Sequence, residues 1–402
     1  MPGTFIRDSP VTLILKGRRG LLFPLALIAL ATLCPGPVDP TVGRPLRQDG
    51  LVGDALLNLA LFVPFGVALE LRDCSALRSL LLGGLLSSLI EMAQLSIPGR
   101  VSSTRDIVFN VLGVLAGWTL SRSTGMWVRP GPRVAGRLAL VAALTASGLM
   151  AGTGFLLRPT LPQTEYFGGL GHPFGHLQWY RGRVTSASLG GLEIRSGRNP
   201  DSAKLREGLL RGDALQIHVV AGPPVTALAP LLTIHDHNLH EVLLVGVDRD
   251  DLVYRFRTWA AALGFDSPEL RVPGAVRGLR PGHSFKVTVV PQRVGYCIQV
   301  NEKPSCGLGF TLGWGWALLL YAQGPPPWLQ PALNALWMAL LGFPPGYWTR
   351  SRLGLNVGVG ALATSLVWLP GHAGLVATPL AEIGAVVIGF LAGATVRWWF
   401  EP

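Results

Sequence analysis

Apolar residues in this chain fall into eight blocks separated by charged or turn-forming stretches. The blocks cover positions 21–34, 51–71, 76–97, 106–121, 136–157, 328–346, 353–370 and 374–396. A helix that crosses a bilayer needs about 20 mostly apolar residues, so each block reads as a membrane-spanning helix. The first lies behind Arg7, Lys16, Arg18 and Arg19, an order that a signal peptide also has. Further helices follow closely, which favours a retained span. Between the fifth and sixth blocks the pattern changes to short apolar runs among charges, glycines and prolines. The spacing there predicts strands at Gly191–Arg195, Ala214–Val220, Leu231–His235, Glu241–Val247, Asp251–Arg257, Ser284–Val290, Gly295–Val300 and Trp316–Tyr321. Short strands with frequent turns point to a β-sandwich. The expected fold is therefore an α-helical polytopic membrane protein with about eight transmembrane helices and an extracytoplasmic β-sandwich.

Composition agrees with a membrane location. Hydrophobic residues make up 49 % of the chain and charged residues 14 %, against about 25 % charged in soluble domains. The net charge is +11. In a membrane protein that excess orients the chain, so nucleic acid is not an expected partner. With the N-terminus inside, the inner segments hold Arg7, Lys16, Arg18, Arg19, Arg72, Arg78, Arg122, Arg129, Arg133, Arg137, Arg350, Arg352 and Arg397. The short outer loops hold only Arg44, Arg47, Arg100 and Arg105. The expected topology is N-in and C-in, in a bacterial plasma membrane. It has a cytoplasmic N-terminus (1–19), a helical domain (20–157), an extracytoplasmic domain (158–323), a three-helix C-terminal domain (328–396) and a cytoplasmic tail (397–402).

Charged and amide side chains within a bilayer are costly and often functional. The second block carries Asp54 and Asn58, the third Glu91 and Gln94, and the fourth Asp106 and Asn110. Spacings of three and four put each pair on one helical face. The expected topology places all six in the outer half of the membrane, beside Arg100 and Arg105 of the intervening loop. Together they suit a lipid headgroup, a phosphate or a zwitterion. Capping and interhelical packing are the competing explanation for Asp54, Asn58, Asp106 and Asn110. Glu91, an acid inside an apolar helix, has the weakest structural excuse. Gly113 and Gly117, on the stripe of Asp106 and Asn110, would let a neighbouring helix come close.

Three motifs here carry a family resemblance: Asp54-Ala-Leu-Leu-Asn58 with Pro64-Phe65-Gly66, Ser88-Leu-Ile-Glu91-Met-Ala-Gln94 with Pro98-Gly99-Arg100, and Ser103-Thr104-Arg105-Asp106 with Asn110 and Gly113. In this order and at this spacing, residues 20–125 resemble the VanZ-like membrane family. The resemblance implies a helical membrane domain of four to five helices and singles out Asn58, Glu91, Gln94, Arg100, Asp106 and Asn110. It implies a possible link to glycopeptide-antibiotic susceptibility without implying a reaction. The insert, about 165–322, resembles the concanavalin A-like, laminin-G-like fold through Leu231–His235, Glu241–Val247, Asp250–Arg257 and the hairpin Phe285–Asn301. That likeness implies a glycan or protein binder.

In the insert, Cys297 and Cys306 flank a turn and are a disulfide candidate in an oxidising compartment. His235, Asp236, His237 and His240 resemble a metal cluster, but adjacent strand residues point to opposite faces, so no metal is expected. Glu241, Asp248, Asp250 and Asp251 could supply the two acids of a glycosidase, yet spacing pairs none of them. Trp179 and Trp259 could stack on a sugar; core packing is expected for each. Glu382 is a further isolated acid in the last block. No catalytic residue and no cofactor is expected. The leading function is binding of an outer-leaflet lipid by the helices and of an envelope glycan or protein by the sandwich. One alternative is an enzyme with Glu91 or Asp106 as general base and Arg100 holding phosphate. A transporter is the other, though no internal repeat is evident.

Overall fold

The computed structural model describes residues 19–35, 51–98, 100, 102–175, 177–265, 267–320, 325–350 and 352–400. The basic residues Arg7, Lys16, Arg18, Arg44 and Arg47 lie outside the described residues. The chain divides into two compact units. One comprises residues 1–139, 348–351 and 396–402; the other comprises 140–347 and 352–395.

Helices occupy all eight apolar blocks. They are α1 (Arg19–Leu33), α2 (Leu51–Glu70), α3 (Ala76–Gln94), α4 (Thr104–Arg122) and α5 (Pro132–Leu156), then, beyond the β region and its helix α6 (Ser202–Arg211), α7 (Gln330–Trp348), α8 (Arg352–Ala373) and α9 (Leu380–Phe400). Among the described residues, α2, α3, α5 and residues 380–397 of α9 are long and apolar enough to cross a membrane, and α1 is apolar but shorter.

In the first unit α2 and α4 touch backbone to backbone. A Cβ at Gly113 would run into the carbonyl of Leu59, one at Gly117 into that of Val63, and one at Gly66 into that of Val114. The first two contacts advance together, from Leu59 with Gly113 to Val63 with Gly117, so α2 and α4 run parallel. The helix between them, α3, runs antiparallel and sets Gly83 against the Val114 side chain. Its start is fixed by Ser75, whose hydroxyl accepts the Arg78 N–H. Ile28, Phe62, Phe65, Leu69, Ile90 and Val114 fill the centre. Small residues matter here because lipid gives helices no hydrophobic reason to associate, and close van der Waals contact must do so instead.

Among the described residues of the second unit, twelve strands form two six-stranded antiparallel sheets. The strands are β1 (Phe167–Leu170), β2 (Arg183–Leu189), β3 (Leu192–Glu193), β4 (Gly197–Arg198), β5 (Leu215–Val220), β6 (Ala229–His235), β7 (Glu241–Asp248), β8 (Asp251–Phe256), β9 (Leu270–Val272), β10 (Ser284–Pro291), β11 (Tyr296–Val300) and β12 (Lys303–Leu308). One sheet has the order β4-β1-β6-β7-β8-β9 and the other β12-β11-β10-β5-β2-β3. Alternation sets which face is inside: Leu215, Ile217 and Val219 of β5 and Phe285, Val287 and Val289 of β10 enter one core with Leu231, Val245 and Leu252 of the first sheet. Strands β6 and β7 are buried on both faces, which explains their continuous apolar runs.

The strand expected at Trp316–Tyr321 is corrected to helix. Leu312–Trp316 is a 3-10 turn and Ala317–Leu320 an α-helical one, while Tyr321 lies outside the described residues. Glycines at 313 and 315 and the run Ala317-Leu-Leu-Leu320 suit a tight helical turn rather than a pleated edge. Five strands absent from the sequence reading, β1, β2, β4, β9 and β12, are short or rich in glycine and polar residues, so their alternation is weak.

Two outcomes follow. Gly117→Leu should lower the thermal stability of the detergent-solubilised protein by about 1–3 kcal/mol through overpacking. Gly125→Leu, where nothing lies within 4 Å of the added Cβ, should not. Equal unfolding midpoints would refute the close packing of α2 and α4. Separately, the disulfide between Cys297 of β11 and Cys306 of β12 closes a loop of sequence separation 9. Replacing both cysteines by serine should destabilise the β unit by about 2–3 kcal/mol in the chain-entropy account, read from denaturant midpoints of that unit's tryptophan fluorescence.

Candidate functional site

At one end of α2, α3 and α4, the polar residues singled out from the sequence separate into two groups. The first group closes helix ends. Gln94 Nε2 donates to the carbonyl of Thr32 at 3.0 Å. Arg100 donates through Nε to Cys34 O at 2.9 Å and through Nη2 to Ala31 O at 2.7 Å. These carbonyls belong to the last turn of α1, which has no further residue of its own to satisfy them. A cation there also suits the negative end of the helix dipole. Arg100 thus turns its Nε and Nη2 to α1. Glu91 is buried, and its Oε2 accepts the backbone N–H of Ser103 at 2.6 Å. Ser103 starts α4 and makes no side-chain cap of its own, so an acid from α3 caps it.

The second group gathers around Asp106. This residue lies in the first turn of α4, as Asp54 does in α2. The Asp106 carboxylate accepts a hydrogen bond from the Asn58 side chain and feels the charges of Glu91, Arg105 and Asp54. Arg105 also acts on Asp54. Asp54, Asn58 and Asp106 are half-buried and Arg105 is exposed, so the cluster is open on one side. One turn deeper, Asn110 Nδ2 donates to Ser87 Oγ at 2.9 Å. Asn110 is only 2 % exposed, and its amide oxygen has no hydrogen-bond partner among the described residues. A buried acceptor left open costs about 1–3 kcal/mol. The set thus presents two carboxylates, Asp54 and Asp106, and an exposed guanidinium, with the charge of the capping Glu91 felt nearby and the unengaged amide oxygen of Asn110 one turn deeper.

The second unit holds other polar clusters, each saturated. Glu382 accepts from Thr311 Oγ1 at 2.6 Å, Gly313 N at 3.1 Å and Asn334 Nδ2 at 3.0 Å. Asn334 Oδ1 in turn accepts from Trp316 Nε1 at 2.8 Å. This buried network ties the 3-10 turn to α7 and α9. The acids Glu241, Asp248 and Asp251 lie in a ladder with Arg255, Glu269 and Arg271 across β7, β8 and β9, and Asp250 pairs with Arg277. Each faces a guanidinium rather than a second free acid.

The histidines do not converge. The His235 ring contacts the rings of Phe167 and Phe174, and His237 meets Thr164. His240 Nδ1 lies 3.0 Å from Asp236 Oδ2. No group of three or more metal-ligating side chains occurs among the described residues. Trp179 and Trp259 are 64 % and 40 % exposed, which corrects the expectation that both pack in the core. Each sits on a connection outside the sheets, where alternation gives no guide to facing.

Asp236 generates a pH prediction. Burial pushes its carboxyl up, but the hydrogen bonds from His240 and Asn238 outweigh that and hold it below the ordinary value of 3.8. A folded-state value below the unfolded one adds stability above the unfolded value, and the gain is lost as pH falls through the folded one. Asp236→Asn should therefore destabilise the β unit at neutral pH, and the gap to the parent should close in strong acid, as checked by denaturant titrations across pH.

No curated protein and no solved structure matches this chain. The family model described as VanZ/LLP1 matches residues 17–126. That span holds α1 to α4 and every residue of the polar cluster, so the chain carries a VanZ/LLP1 domain in its first unit.

Proposed function

We propose that the first unit binds the headgroup of an amine-bearing phospholipid in the outer leaflet of a bacterial plasma membrane. The carrying observation is the cluster around Asp106. Two carboxylates, Asp54 and Asp106, with the charge of the capping Glu91 felt nearby, outweigh one exposed guanidinium, and that excess of negative charge favours a cationic ligand. An ammonium group brings three donors and no acceptor, and so matches the carboxylates. The lipid phosphate then meets Arg105. Glu91, Gln94 and Arg100 act indirectly: they fix the ends of α1 and α4 that frame the cluster.

The rest of the reading builds on this. Residues 20–157 form the helical domain, residues 328–396 a second membrane domain, and residues 158–323 an extracytoplasmic β domain of concanavalin A-like type. Two six-stranded antiparallel sheets on one core support that assignment. The β domain would bind envelope glycan or a protein. Occupancy of the site would alter envelope properties, glycopeptide susceptibility among them.

Purified full-length protein should retain phosphatidylethanolamine in native mass spectrometry in preference to phosphatidylglycerol. N-acetylated phosphatidylethanolamine, which keeps the phosphate and loses the charge, should bind like phosphatidylglycerol. Asp106→Asn should weaken retention about tenfold, equivalent to about 1.4 kcal/mol, and Glu302→Gln on an exposed turn should not. Equal retention of all three lipids would refute the proposal.

A further inference from the structure

We infer that the segment Thr258–Phe265 of the β unit is a membrane-interface element, seated on the lipid surface beside the end of α5. Its sequence, Thr-Trp-Ala-Ala-Ala-Leu-Gly-Phe, carries no charge. Trp259–Ala262 forms a single helical turn. Within it and just beyond, Trp259, Ala262 and Leu263 are exposed while Ala260 is fully buried. Spacings of three and four put the exposed residues on one face. An uncharged, outward-turned apolar face is the kind of surface an apolar phase covers.

The position of this face identifies what covers it. The Trp259 ring stacks on Phe155 at 5.8 Å, with an interplanar angle of 19°. Phe155 lies in the last turn of α5 and is itself 46 % exposed. That helix is apolar and long enough to span a bilayer, so the tryptophan continues its lipid-facing surface at the helix end.

The backbone holds the two together. Trp259 N donates to Arg158 O at 3.1 Å, Thr160 N donates to Arg257 O at 2.9 Å, and Pro159 bridges Thr258. The chain leaving α5 is thus paired directly with the strand end that carries Trp259.

A second helix end marks the same level. Arg158 donates to the carbonyls of His372 and Ala373 at the close of α8. There Trp368, 56 % exposed, stacks on His372 at 3.7 Å. Tryptophan is enriched at membrane–water boundaries because its ring is apolar and its N–H polar. Phe155, Trp259 and Trp368 beside Arg158 have the composition of such a belt, and Trp259 is the member contributed by the β unit. The β unit would therefore be held against the lipid surface rather than tethered above it.

The test uses the full chain in lipid nanodiscs with Cys34→Ser and Cys74→Ser. Nitroxide labels go on Leu263→Cys and, separately, on Ala262→Cys. A label on Leu149→Cys in α5 is the lipid reference, and one on Glu302→Cys is the water reference. Collision with oxygen and with a soluble nickel complex reports depth. Both loop labels should favour oxygen, as the α5 label does, and read about 5–10 Å inside the headgroup level, the depth of an interfacial helix. Readings equal to that at position 302 would overturn the inference. Shielding from both reagents would overturn it too, since that marks a protein contact.

Discussion

The contact of two helix backbones through glycine is the constraint on which the first unit rests. Val63 and Leu59 of α2 present carbonyls where α4 offers Gly117 and Gly113, and Gly66 of α2 returns the arrangement toward Val114. A parallel pair so closely packed must begin side by side, so the acids in the first turns of the two helices, Asp54 and Asp106, become neighbours. Two carboxylates brought together repel. Asn58 and Arg105 offset that repulsion within the cluster, and an added cation would offset it further. The proposed ligand preference would in this sense be a consequence of packing: a looser pair would let the acids separate into water.

Around that pair, polar residues serve as helix caps made across helices rather than within them. Glu91 of α3 caps α4, and Gln94 and Arg100 close α1. In water a free helix end is satisfied by solvent; near lipid an open N–H or C=O costs several kcal/mol, so another side chain must supply the bond. This division gives substitutions different meanings. Changes at Gln94 or Arg100 would act through α1, whereas changes at Asp54, Asn58 or Asp106 would act on the proposed ligand.

Helical spacing made the site largely legible in the sequence: Asp54 with Asn58, Glu91 with Gln94, and Asp106 with Asn110 each share a face because three and four residues make about one turn. Gly113 and Gly117 marked the close approach for the same reason. The capping roles were hidden, because the carbonyls of Ala31, Thr32 and Cys34 lie more than sixty residues away from the side chains that meet them. Strand positions followed where apolar residues alternate, as in Leu215, Ile217 and Val219. They failed at Trp316, where the Glu382 carboxylate draws Thr311 and Gly313 into a tight turn, an interaction no local pattern encodes. The exposure of Trp259 was hidden too, since nothing in the chain says that its neighbour is a ring on a membrane helix.

The central claim is that the carboxylates around Asp106 receive an ammonium group. Solid-state NMR on full-length protein in bilayers of 15N-labelled phosphatidylethanolamine measures this directly, as dipolar dephasing between the lipid nitrogen and 13C-labelled aspartate side-chain carboxyls. The account predicts dephasing corresponding to a contact of about 4 Å that disappears in Asp106→Asn. Dephasing that survives this substitution, or none in the parent protein, would contradict it.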